Sequence, residues 1–403
     1  MVSRRRALQL AGLSALGGLG LSRLARADEP SDRKFLFLLA YGGWDPSYVF
    51  ASTADHPDLA QPAQSERVQS GDLSWVRSDN RPSVDAFFDR YGAQTCILNG
   101  LVVPSVTHEQ CRKLVLTGAR DGAVDDWGAI LGGRSTGFDL PTVVVSGPAY
   151  ASRYASTQLR MGPAGQLAEL ADGTALQRMT PPPTRLSAHA EDAVQQYLAQ
   201  RYAAYQAPAG GEAVALGLDQ ATRQLDQLQN LEGVDLRVHS HGFVYASQRV
   251  EPALELLQRG LTRCAAAVHL GEWDANWDTH ADIERQAAHY DFFFDDVLAV
   301  LESMEDRGLL ETTTVVLLSE MGRSPVINKT GGKDHWTYTS AALLGAGVRG
   351  GQVVGGFDAD WFGVPVDGRV PTTADLGATL LTLGGVDPES EGLSGSPLEP
   401  VLA

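Results

Sequence analysis

Apolar residues along this chain fall mostly into short unbroken runs that end at glycine or at a charged side chain. Lys34–Tyr41 stops at Gly42-Gly43, and comparable runs recur at Thr95–Val103, Thr142–Ser146, Ala265–Leu270, Thr313–Ser319 and Ala341–Leu344. A run without polar alternation predicts a strand covered on both faces, as in a parallel sheet. Between the runs the period becomes helical, at Val84–Tyr91, at His108–Leu116, and over the longest stretch from about Ala281 to Asp306. That last stretch carries Ile283, Ala287, Tyr290, Phe294, Val297, Leu301 and Met304 on one stripe. The alternation of the two element types predicts an α/β fold, a mostly parallel central sheet sandwiched by helices.

The middle of the chain reads differently. Thr180-Pro181-Pro182-Pro183-Thr184 is a stiff linker, and helical spacing follows in Val194, Tyr197, Leu198, Tyr202 and Tyr205, then in Leu218, Ala221, Leu225 and Leu228. Residues 150–245 are therefore expected to form a helical insertion in a single α/β domain spanning 28–403.

The first 27 residues read as a targeting segment rather than as part of the fold. Arg4-Arg5-Arg6 precedes an uncharged, Gly-rich run and then Ala25-Arg26-Ala27, a small-x-small cleavage pattern. The run is short of the ~20 apolar residues a membrane span needs. The pattern resembles a twin-arginine export signal, which implies the twin-arginine export machinery as a partner and a periplasmic or secreted destination. A retained N-terminal anchor is the alternative.

The net charge of −17 argues against nucleic acid as a partner, since phosphate binding needs a basic surface. Removing the first 27 residues takes away five arginines and no acid, so the remainder is more acidic still. The chain has three cysteines, Cys96, Cys111 and Cys264, with no C-x-x-C spacing. Cys96 and Cys264 lie in apolar runs and read as buried thiols, so no disulfide framework is expected.

Candidate chemistry collects where the apolar runs end, which is where an open α/β sheet gathers its ligands. Asp45 follows Tyr41-Gly42-Gly43-Trp44, either as a turn residue or as a carboxylate projecting from a strand end. Thr107-His108 opens a helix. Thr107 is a residue type that caps helices, and the amides of a helix start also favour an anion. Asp278 and His280 flank Thr279 beside Trp273 and Trp277, with Asp274 as a rival ligand. Glu320 ends the Thr313–Ser319 run and needs a cation, either a metal or Arg323. Asp334-His335 adds another acid and imidazole, and Lys333 beside them has the charge to meet an anionic substrate. His269, within an apolar run, reads as a hydrogen-bonded core residue. Carboxylates and imidazoles from separate segments are the usual donors of a hydrolytic metal site.

On these residues the chain resembles the exported domain-of-unknown-function family 1501, within the alkaline phosphatase and sulfatase superfamily. The matching stretches are Gly42-Gly43-Trp44-Asp45, the helix from His108 to Leu116-Thr117-Gly118, and Trp277-Asp278-Thr279-His280. They continue with Ser319-Glu320-Met321-Gly322-Arg323-Ser324-Pro325, Gly332-Lys333-Asp334-His335 and Gly350-Gly351-Gln352-Val353-Val354-Gly355.

The resemblance implies an alkaline phosphatase/sulfatase-like sheet with one or two divalent ions at its strand ends. Asp45, Asp278, His280, Glu320, Asp334 and His335 stand at the metal positions, and the donor set suits Zn, Mn, Mg or Ca. The substrate implied is a small anionic phosphate or sulfate ester, or a glycan carrying one, with Lys333 and Arg323 steadying the anion.

There is a departure from the sulfatase pattern. Where sulfatases carry a modified Cys or Ser ahead of the helix, this chain has His108, and Glu320-Met321 stands where an Asp-His pair is expected. Two readings follow. In one, the protein is an exported metal-dependent hydrolase with His108 and Thr107 at the reacting group. In the other it is a catalytically silent envelope protein that keeps the scaffold for binding a metal, a glycan or a partner.

Overall fold

The computed structural model describes residues 33–161 apart from 53–55 and 62–63, isolated positions between 187 and 236, and residues 246–403. The expected export signal and most of the expected helical insertion lie outside the described residues.

The described chain runs β1 (Lys34–Ala40), β2 (Glu66–Ser70), β3 (Leu73–Arg77), α1 (Pro82–Tyr91), β4 (Thr95–Val102), α2 (His108–Thr117), α3 (Trp127–Gly133), β5 (Thr142–Val144) and β6 (Gln158–Arg160). It continues with α4 (Ala246–Gln258), β7 (Cys264–His269), α5 (Arg285–Asp306), β8 (Thr313–Ser319), β9 (Gly322–Arg323), β10 (His335–Trp336), β11 (Tyr338–Gly345), β12 (Gln352–Gly355) and α6 (Thr373–Leu383).

Eight strands make the central sheet in the order β12-β4-β11-β8-β1-β7-β5-β6. β1 runs parallel to both neighbours, with Leu38 opposite Leu317 on β8 and Ala267 on β7. Only β11 is reversed, pairing antiparallel with β4 and β8, so the sheet is mixed but mostly parallel. β6 lies within the stretch read as the start of the insertion and instead completes one sheet edge.

The sheet is buried on both faces, which is why its central strands show no polar alternation. On β1, Leu36, Leu38 and Ala40 face a core closed by α1, α4 and α5, including Phe87, Leu254, Tyr290 and Phe294. Phe35, Phe37 and Leu39 face the opposite core, closed by α2, α3 and α6 through Val115, Ile130 and Leu380. Each such side chain contributes about 1.5–3 kcal/mol by leaving water. All three cysteines are buried free thiols. Among the described residues no helix is long and apolar enough to cross a membrane.

β1 ends because Gly42 and Gly43 turn the chain with φ of 126° and 94°. A Cβ on Gly42 would lie 1.8 Å from Asn276 Oδ1 and 2.7 Å from the Asp278 amide nitrogen. Only glycine lets the exit of β1 pass beneath the segment that follows β7. In this way the sheet brings two of the chemistry-bearing segments together.

Candidate metal and anion site

The segments after β4, β7 and β8 and the segment leading through β10 converge outside the carboxyl ends of the parallel strands. Trp277 anchors the one after β7. Its ring is fully buried, 5.0 Å from Tyr290 and 5.9 Å from Phe293 between centroids, and its amide donates to Tyr41 O at 3.0 Å. Asp278 is thereby held at the rim, about one-third exposed. β9 pairs antiparallel with β10 so that Arg323 lies opposite His335, which carries the last imidazole to the same place.

His108 is the first residue of α2. Its Nδ1 lies 2.5 Å from Glu320 Oε1 and its Nε2 lies 3.3 Å from Asp278 Oδ2. Hydrogen bonds to Asp278 and Glu320 push the His108 imidazole up to about 9. Burial would raise the Asp278 carboxyl, but His108, His335 and Arg323 around it win and hold it well below the usual carboxylate range. His335 Nδ1 lies 2.6 Å from the Val106 carbonyl, so it carries the proton and donates. His335 Nε2 lies 3.7 Å from Asp278 Oδ1 and has no hydrogen-bond partner among the described residues.

These contacts are what a metal needs. Ligand atoms of His108, Asp278 and His335 all lie within 4.8 Å of one another. In both histidines an oxygen engages Nδ1, which orients the ring and turns Nε2 toward the shared point. Two imidazole nitrogens and one carboxylate oxygen form a donor set suited to Zn or another first-row divalent ion. The residues present therefore fit the group.

The structure distributes the sequence candidates unevenly. His280 joins the cluster from the side, its Nδ1 contacting Asp278 Oδ1 and its ring 4.4 Å from that of His335. Glu320 is fully buried behind His108, with Oε2 unpartnered among the described residues. Arg323 is fully buried too. It donates to Asp278 Oδ1 at 2.9 Å and to the carbonyls of Gly43, Trp277 and Lys333.

Asp45 goes elsewhere. Its Oδ2 accepts from Lys333 Nζ at 2.6 Å, and its Oδ1 accepts from the amide and hydroxyl of Ser47 at 3.0 and 2.7 Å. Asp45 and Lys333 thus satisfy each other, and Lys333, fully buried, does not face a substrate. Asp334 is exposed and accepts from Asn328 Nδ2 at 2.9 Å, outside the cluster. Thr107 occupies the cap position of α2 with extended backbone, but its side chain makes no capping bond and contacts Ser105 Oγ at 3.3 Å.

The expected core histidine holds its place: His269 is buried, accepts from the Gly271 amide at 3.0 Å and faces Asp296 at 3.2 Å. The side chain of Asp274 lies outside the described residues.

One participant escaped the sequence reading. Arg112 reaches Glu320 Oε1 at 3.4 Å, and its guanidinium lies 4.5 Å from the centroid of the Tyr41 ring. It sits four residues after His108 on α2, a spacing that puts both on one helix face and that would have flagged it.

The sequence profile of DUF1501, described as a protein of unknown function, matches residues 34–395, and the chain belongs to that family. No curated protein matches the chain. Several solved structures are similar. The crystal structure of Ps i-CgsB shares 10% identity, covering 91% of this chain and 76% of its own, with a TM-score of 0.42. The lipoteichoic acid synthase LtaP from Listeria monocytogenes shares 10% identity over 93% of this chain and 77% of its own, with a TM-score of 0.43. The alkaline phosphatase from the Antarctic bacterium TAB5 shares 10% identity over 87% of this chain and 98% of its own, with a TM-score of 0.37.

Proposed function

We propose that this DUF1501 protein is an exported, metal-dependent hydrolase of phosphate or sulfate esters, with His108, Asp278 and His335 holding a divalent cation. The observation that carries the reading is the approach of their ligand atoms to within 4.8 Å at a partly exposed strand-end site. Three protein donors leave coordination positions for water and substrate, the arrangement of a catalytic rather than a structural centre. The ion would polarise the ester and lower the pKa of a bound water. His280 lies beside Asp278 and would steady it. The ester class rests on the sequence resemblance to phosphatases and sulfatases, and export rests on the N-terminal arginine motif.

One observation favours the silent alternative. Arg323 already donates to Asp278 Oδ1 at 2.9 Å, in competition with a metal for the same carboxylate. A protein that binds without turnover would tolerate such an arrangement.

The test is metal analysis of protein purified without chelator, beside Asp278→Ala and His335→Ala variants. Turnover is then assayed on 4-nitrophenyl phosphate and 4-nitrophenyl sulfate. The reading expects near-stoichiometric metal in the parent, its loss in both variants, and hydrolysis of at least one ester. Metal without turnover would select the silent protein, and a parent without metal would remove both the ion and the hydrolase.

A further inference from the structure

We propose that Gln286, near the start of α5, is the positioning residue of the metal centre. Its buried amide holds the chain on both sides of Asp278 and thereby sets how tightly the cation is bound. The inference rests on the metal-centre reading above and adds to it the residue that fixes the backbone of its carboxylate ligand.

Gln286 is fully buried, and its polar atoms are directed at the turns around the site. Its Oε1 accepts from the Asp45 amide at 3.0 Å, which fixes which end of the side-chain amide is the oxygen. Its Nε2 then lies 3.2 Å from Gly43 O, 3.1 Å from Trp277 O and 3.0 Å from Thr279 Oγ1. Two N–H bonds thus serve three acceptors, one at the exit of β1 and two in the segment after β7. A buried polar network satisfied in this way is rigid, and removing one member leaves its partners unpaired at a cost.

The consequence for Asp278 follows from alternation along an extended segment. Trp277 and Thr279 are buried, while Asp278 between them stands at the rim. A clamp on the two inward residues aims the middle one outward, toward His108 and His335. The Thr279 carbonyl accepts from the Lys333 amide at 3.3 Å, so the clamp extends to the chain that reaches His335 two residues on. Tyr290, one helical turn after Gln286, donates its hydroxyl to Asp45 O at 3.0 Å. One face of α5 therefore holds Asp45 by its amide and by its carbonyl.

Arg323 grips the same two carbonyls. The sequence offered it as a cation to meet an anion, yet its Nε lies 3.1 Å from Gly43 O and its Nη2 3.2 Å from Trp277 O, with Asp278 Oδ1 at 2.9 Å from Nη2. A cation at the cluster competes with Arg323 for Asp278. If Arg323 gives way, Gly43 O and Trp277 O each keep a donor in Gln286, so no buried carbonyl is stranded. Gln286 contacts the backbone that carries the ligand and no ligand atom itself, which is what separates its role from that of Arg323.

The test uses full-length protein stripped of metal and titrated with zinc against a chromophoric chelator. Gln286→Met keeps the length of the side chain and removes both polar groups. It should weaken zinc binding by about 10–100-fold, the range for partners that orient a ligand. Thr279→Val removes one of the three acceptors and should cost about 2–10-fold, the worth of a single hydrogen bond. Thr279→Ser, which restores the hydroxyl, should bind as the wild type does. Cobalt-loaded Gln286→Met, at saturating metal, should show visible bands shifted from those of the wild type, because the ligands are displaced rather than merely less occupied. Thr379→Val on α6 is the stability control. The Thr379 hydroxyl donates to Asp375 O and accepts from the Leu398 amide, so its loss should lower the melting temperature with zinc affinity unchanged.

The proposal is overturned if folded Gln286→Met matches the wild type in zinc affinity or in cobalt bands, or if Thr379→Val loses zinc as Gln286→Met does. Should Gln286→Met fail to fold, the Thr279 pair decides, and equal affinities for Thr279→Val and Thr279→Ser overturn it. Failure of the wider reading looks different. Wild-type protein that takes up no zinc removes the metal centre and this role with it. Zinc binding that depends on Gln286, without ester turnover, removes the hydrolase and keeps the positioning residue. Turnover with zinc affinity unmoved in Gln286→Met does the reverse.

Discussion

Lys333 Nζ lies 2.6 Å from Asp45 Oδ2, and both side chains are wholly removed from solvent. The pair ties the exit of β1 to the segment that carries His335 two residues later, so a charge interaction far from water braces the segment that brings His335 to Asp278. Its value lies in completeness, because a buried charge that loses its partner is costly.

Lys333→Met should therefore destabilise the protein by about 3–5 kcal/mol, since it strands the Asp45 carboxylate. The double variant Asp45→Asn/Lys333→Met should lose much less than the sum of the single changes, because no bare charge remains. Urea unfolding of the three variants checks this. A single variant within about 1 kcal/mol of the wild type would mean that water reaches the pair.

The two outer imidazoles should separate in metal affinity. His335 Nε2 has no hydrogen-bond partner among the described residues and shares the 4.8 Å cluster, whereas His280 Nδ1 is already engaged with Asp278. His280→Ala should weaken zinc binding by about 10–100-fold, as loss of an orienting neighbour does. His335→Ala should weaken it further and lower the stoichiometry. Equal losses, measured by competition with a chromophoric chelator, would put both histidines on the ion.

Much of the fold is legible in the chain because its central strands are buried on both faces. β1, β4 and β8 stand out as unbroken apolar runs for that reason. The hairpin of β2 and β3 does not, because β2 is almost wholly solvent-facing and its residues are polar. β6 and β12 are short edge strands with too few residues to show a period. At the site, Asp278, His280 and Glu320 stand out in sequence as polar residues after apolar runs, and His335 as an imidazole in a Gly-Gly-Lys loop. The division of labour was not. Asp45 and Asp278 look alike in sequence, and only the arrival of Lys333 from nearly three hundred residues away makes one a structural partner. Arg112 was overlooked because a charged residue in an amphipathic helix ordinarily marks a solvated face.

Gly42 sets how closely the β1 exit approaches Asp278. Gly42→Ala would bring a Cβ within 1.8 Å of Asn276 Oδ1 and 2.7 Å of the Asp278 amide nitrogen, at a φ of 126° that side chains avoid. The expected outcome is a lower melting temperature together with weaker zinc binding, since the displaced segment carries Asp278. The same change at Gly260, where a Cβ meets nothing within 4 Å, carries a strained φ of 70° without the clash and should leave zinc affinity unchanged. Measuring both variants separates strain from displacement.

His289 gives the fold a pH dependence of its own. It lies on α5 with no exposure, its Nδ1 accepts from the Glu272 amide at 2.9 Å, and its ring is 5.3 Å from that of Trp277. Burial above all, helped by the charge of Arg285, pushes its imidazole down to about 3, so the folded protein holds it neutral. In the unfolded chain it takes up a proton near the ordinary value of about 6.5. The unfolded state therefore binds more protons between those limits. The stabilisation is complete above about 6.5 and is lost as pH falls toward about 3. The cost approaches about 1.4 kcal/mol for each pH unit below 6.5. Between about pH 5 and 6.5, above the range where most carboxylates titrate, the stability of the wild type should fall faster than that of His289→Gln, whose side chain cannot take up the proton. Urea midpoints across that interval provide the comparison. Parallel slopes for the two proteins would mean that His289 accepts its proton in the folded state as readily as in the unfolded chain.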